Sequence, residues 1–414
     1  MNERMGRVSG HDGRKQAILL HAVSLGEINA TGSIIEMLRQ QCPELSYIVS
    51  TTTDTGYERG RQLYEKAADV TLIRFPLDFG SAVKRMLDTL KPVLVILMEL
   101  EVWPNFVLQC ASRDIPVMVA NGRISTSSFK KYKMAKKILA RTFGRLSSVC
   151  AQDAEYQQRF IDLGTPAERV CIAGTLKFDT AKIADRIDGD TELAKALGLK
   201  TGQEKVWVCG STGPGEEQVI LRVYRELLTD YARLRLVIVP RKPERFDEVA
   251  KMITDARFKL IRRSNPQIPM DTSLIPAVVL GDTMGELRRF YSLADIVFVG
   301  RSLVDLGSKH HGSDMIEPAA LAKPVIVGPF TGNFADAMRR FNEASATRLA
   351  HTAGELKHIV VELLLNPKVA VDLGRRAQKI VADQQGATGR HVEVILKLLT
   401  AKRESEAAQI LRTE

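Results

Sequence analysis

Short apolar runs alternate with longer amphipathic stretches from one end of the chain to the other. In the first half the runs fall at Ala17–Val23, Tyr47–Ser50, Val70–Ile73, Val93–Met98, Val117–Ala120 and Ser148–Ala151. In the second half they fall at Val206–Cys209, Leu236–Val239, Lys259–Ile261, Ala277–Leu280, Ile296–Val299 and Val325–Val327. Turn residues follow each run, and then apolar positions at helical spacing. Strands that are apolar on both faces belong to parallel sheets covered by helices. Two such series predict an α/β protein with two doubly wound, Rossmann-like domains. The stretch 179–204 is charged and poor in aliphatic residues, with four aspartates at Asp179, Asp185, Asp188 and Asp190. It places the expected domains at 1–185 and 186–385, followed by a helix and polar tail at 386–414.

Composition narrows the class. The chain has 414 residues, 45% of them hydrophobic, enough for more than one core. The longest uninterrupted apolar run, Val93–Met98, is far shorter than a membrane span. The start is polar and on balance basic (Arg4, Arg7, Arg14 and Lys15 against Glu3 and Asp12), so neither a signal peptide nor an anchor helix is expected in the chain as given. The net charge of +10 favours an anionic partner: a nucleic acid, a phosphorylated small molecule or an acidic membrane face. Cys42, Cys110, Cys150, Cys171 and Cys209 are odd in number and form no CxxC. Four sit in or beside apolar runs and read as buried free thiols, which suits a reducing cytoplasm. The histidines lack metal-ligand spacing, so no metal site and no cofactor are expected.

Ligands of doubly wound sheets bind where strands give way to helices, and the candidate chemistry gathers there. His21-Ala22-Val23-Ser24-Leu25-Gly26-Glu27 ends a strand and opens a helix. Glu27 fits a helix-capping acid or a base projecting into a cleft, and His21 a packed strand-end residue. Met98-Glu99-Leu100-Glu101 sets two acids directly after an apolar strand. Alternation would put Glu99 and Glu101 on one side, a costly arrangement unless it is wet, paired or used. The turn Gly210-Ser211-Thr212-Gly213-Pro214-Gly215 leaves backbone N–H groups available to a phosphate, although it is no Walker loop. Pro240 and Arg241 end another strand, where Arg241 suits a phosphate or a base carbonyl, while Arg245 reads as part of a surface turn. Gly281-Asp282-Thr283-Met284-Gly285-Glu286 is a further glycine turn, and Asp314-Met315-Ile316-Glu317 opens a helix with a carboxylate able to accept ribose hydroxyls or to cap.

One stretch stands apart. Ser128 to Leu146 holds Lys130, Lys131, Lys133, Lys136, Lys137, Arg141 and Arg145 with no acid, interleaved with Phe129, Tyr132, Met134, Ile138, Leu139 and Phe143. It reads as one amphipathic helix, either a solvated basic face over a packed one or a surface for an anionic membrane. No recognised nucleic-acid module accompanies it, so no nucleic-acid partner is expected.

Taken in order, the segments HAVSLGE, TTTDTGYER, MELEVWPN, NGRIS, AQDAEYQQRFIDLG, GTLKFD, GSTGPGEE, VPRKPERF, GDTMGEL and EPAALAKPVIVGP resemble the 3-deoxy-D-manno-octulosonic acid (Kdo) transferases of lipopolysaccharide assembly, from about His21 to Asn342. The resemblance implies the GT-B fold, two Rossmann-like domains facing across a cleft, with an N-terminal acceptor domain, a C-terminal CMP-Kdo domain and a final helix returning to the first. It also implies an inverting, metal-independent transfer of Kdo from CMP-Kdo to a lipid A precursor of the lipid IVA type, at the cytoplasmic face of the inner membrane. By the same resemblance Glu27 is the base, and Glu99 and Lys177 stabilise the transition state. Pro240, Arg241, Met284, Gly285, Glu286, Asp314, Met315, Ile316 and Glu317 would contact the nucleotide, and Ser211 and Thr212 would help hold its phosphate. Lys177 or Arg123 would meet the Kdo carboxylate.

Three features depart from the family pattern. The chain starts almost at the first strand where the family usually has an apolar anchor helix, so either the start is truncated or membrane association is peripheral. The loop Leu306–Asp314 is longer than usual, with Asp314 where the family has Asn, and Lys242 stands where His is common. The alternatives are another GT-B enzyme, such as a nucleotide-sugar epimerase or a transferase with a different donor, and a non-catalytic membrane adaptor.

Overall fold

The computed structural model describes residues 2–9, 15–267, 277–307 and 310–413. Asp12, Arg14, Ser308 and Lys309 lie outside the described residues. The chain forms two units, 1–180 with 384–414, and 181–383.

The first unit is built on β1 Ala17–His21, β2 Ser46–Thr51, β3 Val70–Arg74, β4 Leu94–Met98, β5 Val117–Gly122, β6 Ser148–Ala151 and β7 Val170–Ile172. They form one parallel sheet in the order β3-β2-β1-β4-β5-β6-β7. The period of two sends alternate residues to opposite faces. Ala17, Leu19, Val95 and Leu97 join one apolar cluster, and Ile18, Leu20, Leu94, Ile96 and Met98 join another. Both faces are therefore dry, which is why these strands read as continuous apolar runs. The last helix, Ala387–Thr413, lays Ala387, Val392, Ile395 and Leu399 on the second cluster. Asp179 holds its start, accepting the N–H groups of Gly386 (2.8 Å) and Thr388.

The second unit is built on β8 Lys205–Thr212, β9 Leu234–Pro240, β10 Lys259–Arg262, β11 Ala277–Leu280, β12 Ile296–Val299, β13 Val325–Val327 and β14 Arg348–Leu349. Its parallel sheet runs β10-β11-β9-β8-β12-β13-β14. Trp207, Tyr224, Leu236, Ile238, Phe298 and Ile326 are fully buried on one of its faces. The strand order reverses at β1/β4 in the first unit and at β8/β12 in the second, and such a reversal opens a crevice at the carboxyl ends of the two strands.

Two expectations change. The basic stretch is two helices, Thr126–Met134 and Lys136–Phe143, which meet at Ala135. Of the five cysteines, Cys110, Cys150 and Cys209 are buried and Cys42 and Cys171 are half-buried, all as free thiols. Cys171 sits on the short edge strand β7, opposite Cys150 at 3.6 Å between sulfurs.

Candidate active site

In the first unit His21 pairs with Leu97, so the loops after β1 and β4 leave the sheet side by side. The helix Leu25–Gln41 begins there with a capping box. The Ser24 hydroxyl accepts the Glu27 N–H at 3.2 Å, and the Glu27 carboxylate accepts N–H groups from Val23 (2.9 Å) and Ser24 (3.3 Å). The capping role is therefore real. It does not exhaust the residue, because burial, and then the negative charge of Glu99, push the Glu27 carboxyl up to about 7 against those hydrogen bonds. A carboxyl balanced near neutrality can take a proton from a hydroxyl.

Glu99 and Glu101 are not strand neighbours on one face, because β4 stops at Met98. Glu99 turns into the left-handed region at φ 51°, and the Glu101 N–H closes a turn onto the Met98 carbonyl at 3.2 Å. A non-glycine residue held there costs about 1–3 kcal/mol, a strain that gathers at functional sites. The Glu101 carboxylate accepts the Trp103 indole N–H at 3.0 Å and lies 3.7 Å from His21 Nε2. His21 is fully buried, stacks on Phe75 at 3.7 Å and sets Nδ1 3.1 Å from the Ser50 hydroxyl and carbonyl oxygens, so it serves packing.

The segment carrying Lys177 is held by residues that the motifs do not single out. Asn121, also left-handed at φ 55°, accepts the Leu176 N–H on its side-chain oxygen at 3.1 Å. Its own N–H donates to His391 Nε2 at 2.9 Å. Burial pushes His391 down to about 4, so the ring is neutral. Its other nitrogen, Nδ1, donates to the Ala387 carbonyl at 2.7 Å. The last helix thereby fixes the loop that presents Lys177. Arg123, just beyond β5, is half-buried.

In the second unit Val299 pairs with Gly210, and the Gly300 N–H donates to the Gly210 carbonyl at 2.8 Å. Both strand ends then turn left-handed at non-glycine residues, Ser211 (φ 55°) and Arg301 (φ 59°). Glu216, the first residue of the helix Glu216–Leu227, is fully buried. Its carboxylate accepts N–H groups from Gly213 (2.8 Å), Arg301 (2.6 Å), Ser302 (2.8 Å) and Leu303 (2.9 Å). It ties the glycine turn after β8 to the loop after β12. A Cβ at Gly300 would lie 2.5 Å from Thr212 Cα and 2.8 Å from a Glu216 oxygen, so only glycine fits.

Ser211, Thr212, Pro240 and Arg241 come together here, with the Arg241 N–H donating to the Thr212 carbonyl at 3.0 Å. Burial, reinforced by Asp314, pushes Glu317 up to about 7, while Arg288 and Arg241 pull the other way, so these groups share one electrostatic neighbourhood. Asp314 caps the short helix Ile316–Ala320 by accepting the Ile316 N–H at 2.8 Å. Met315 and Ile316 are core residues and can offer a ligand only backbone. Met284 is exposed beside Gly285, whose φ is 81°. Glu286 is occupied: it accepts from Arg263 at 2.9 and 3.0 Å and from Thr283. Burial raises its carboxyl, but those bonds outweigh burial and hold it below the usual range. Arg245 is no surface residue. It is buried against Glu217 (2.6 Å) and Glu248 (3.1 Å). Among the described residues no group of three or more His, Cys, Asp or Glu is placed to hold a metal ion.

Residues 1–180 match the family model of 3-deoxy-D-manno-octulosonic-acid transferases (kdotransferases). The chain is 35% identical to a 3-deoxy-D-manno-octulosonic acid transferase of Haemophilus influenzae, covering 92% of this chain and 86% of that protein. It is 31% identical to the transferase of that name from Bordetella pertussis, over 91% and 86% of the two chains. It is 32% identical to a probable mitochondrial one from Arabidopsis thaliana, over 92% and 84%. Among solved structures, a UDP-GlcNAc 2-epimerase of Neisseria meningitidis covers 93% of this chain and all of its own at 16% identity and TM-score 0.59. A glycosyltransferase of Rickettsia africae covers 97% of this chain and all of its own at 13% identity and TM-score 0.54. These structural likenesses establish the GT-B type of α/β fold, and the sequence relatives go further: the chain belongs to the 3-deoxy-D-manno-octulosonic-acid transferase family, a family of glycosyltransferases.

Proposed function

We propose that this Kdo transferase takes Kdo from CMP-Kdo and delivers it to a lipid A precursor of the lipid IVA type, inverting the anomeric centre and releasing CMP. The reaction serves lipopolysaccharide core assembly at the cytoplasmic face of the inner membrane and needs no metal. The observation that carries the reading is Glu27, a buried carboxyl balanced near neutral pH beside Glu99 at the strand-order reversal. An acceptor hydroxyl is a poor nucleophile until its proton is taken, and Glu27 takes it. The acceptor oxygen bonds to the anomeric carbon while the bond from that carbon to the phosphate oxygen breaks and its electron pair leaves with CMP. Glu99 stabilises the positive charge that develops on the sugar, and Lys177 the negative charge on the departing group. Lys177 or Arg123 meets the Kdo carboxylate.

Residues 1–185 are the acceptor domain in this reading, and 186–385 the donor domain. Glu317 accepts the ribose hydroxyls, Arg241 holds the phosphate, and the Met284–Gly285–Glu286 turn and the backbone of 314–316 frame the nucleotide. Release of CMP from CMP-Kdo, assayed with and without a lipid A precursor and with mass analysis of the lipid product, tests the whole reading. Turnover of UDP-sugars with CMP-Kdo untouched would replace it with the epimerase alternative. Arg241→Ala should weaken CMP by about 10-fold or more, the cost of losing a charge-assisted hydrogen bond of roughly 1.5–3 kcal/mol. Calorimetric titration should show acceptor binding largely intact. Lost acceptor affinity with unchanged CMP affinity would reverse the domain roles.

A further inference from the structure

We propose that Arg301 is a second phosphate-binding arginine, which closes with Arg241 on the phosphate of the nucleotide donor while Glu216 holds its backbone in position. The inference rests on the reading that the second unit binds CMP-Kdo, and adds to it a residue that no motif singles out.

Four observations converge. Arg301 lies just beyond β12, at the strand-order reversal beside β8, where doubly wound sheets bind ligands. Its backbone is fixed on both sides: its N–H donates to Glu216 at 2.6 Å and its carbonyl accepts the Gly312 N–H at 2.6 Å. Its stem crosses the glycine turn, since Arg301 Cγ is 3.0 Å from the place a Cβ on Gly213 would occupy. Arg241 is bonded through its N–H to the neighbouring Thr212 carbonyl, so the two arginines flank one turn.

The electrostatics make little sense for a purely structural residue. Burial and the charge of Arg241 both disfavour the charged guanidinium of Arg301, and Glu216 alone opposes them. The Glu216 oxygens already accept four backbone N–H groups. Among the described residues neither arginine forms an ion pair with a carboxylate, and the Arg301 side chain meets only His310 Nδ1, at 3.3 Å. Two like-charged guanidiniums that flank one turn and are ion-paired to no carboxylate among the described residues suit a doubly contacted phosphate, whose oxygens match the planar fork. The left-handed φ of 59° adds a cost that a glycine would avoid. A side chain kept at such a position has a use that outweighs the strain.

Arg301→Gly separates binding from folding, because it removes the cation and relaxes the backbone together. The thermal midpoint should stay at or above the parent's, with Arg301→Asn as a second variant that tolerates the left-handed region. CMP affinity should fall about 10-fold or more, a single charge-assisted hydrogen bond's worth. Affinity for cytidine, which lacks the phosphate, should not change. Arg301→Lys should recover part of the loss. Parent-like CMP affinity in Arg301→Gly would overturn the proposal. Unchanged CMP affinity with a raised KM for CMP-Kdo would overturn it in favour of the sugar carboxylate. A parent protein that binds CMP no better than cytidine would sink the nucleotide reading itself, and this proposal with it.

Discussion

Glu27→Gln should keep CMP affinity and lower turnover by about 10²-fold or more, the usual scale for losing a general base. Glutamine keeps one oxygen for the capping box, so the fold should survive, with a loss inside the roughly 0.5–2 kcal/mol typical of a damaged cap. The pH profile gives an independent reading. A base must be ionised to act, and burial together with Glu99 places the Glu27 carboxyl at about 7. kcat/KM of the parent should therefore rise through pH 7 and level off above it. Removing the neighbouring charge with Glu99→Gln should make Glu27 easier to ionise and move that limb to lower pH. It should also reduce the rate by taking away a group that stabilises the developing positive charge. Near-normal turnover in Glu27→Gln would leave the residue as a helix cap only. An unmoved limb in Glu99→Gln would mean that burial alone sets the balance.

The strands were legible because both faces of each sheet are dry. Ser148–Ala151, Ala277–Leu280, Ile296–Val299 and Val325–Val327 form over the residues expected, and the longer ones differ only at their ends. The edge strands β7 and β14 escaped because, at three and two residues with only Val170 buried, they lack the two dry faces that mark the inner strands. Within the site, chemistry placed next to a strand end was readable and chemistry carried by backbone conformation was not. Strand alternation failed for Glu99 and Glu101 because the chain leaves extended geometry at Glu99, and no glycine marks the place. Nothing in the sequence sets Glu216 apart from Glu217 beside it in the first turn of its helix. Its role rests on N–H groups 85 to 87 residues away, a relation set by the strand order. Asn121 and His391 are joined across 270 residues in the same way. Arg245 was misread because its partner Glu217 belongs to a different helix.

The same contrast bears on how the proposed lipid acceptor would be met. Among the described residues no helix is long and apolar enough to cross a membrane, and the proposed lipid acceptor directs attention to the surface of the first unit. The two helices at 126–134 and 136–143 turn Phe129, Tyr132, Leu139 and Phe143 toward the core. Every cation of the stretch is exposed. So are Met134 (89%) and Ile138 (79%), which flank the break at Ala135 and stand out of the basic surface. That combination suits an anionic interface: near the surface each Lys or Arg contributes about 1 kcal/mol, and two apolar side chains can enter the headgroup region. The attraction is screened over about 10 Å at 0.1 M salt, so the protein should sediment with anionic vesicles at low salt and be released as salt rises. Charge reversal of Lys130, Lys133 and Lys137 to Glu should abolish sedimentation. It should also reduce activity on bilayer acceptor far more than on detergent-dispersed acceptor, because none of the three belongs to the proposed site. Met134→Ser with Ile138→Ser should weaken vesicle binding while leaving its salt dependence in place. A triple variant that still sediments like the parent would make this a basic surface and nothing more, and attachment would have to come from another part of the protein.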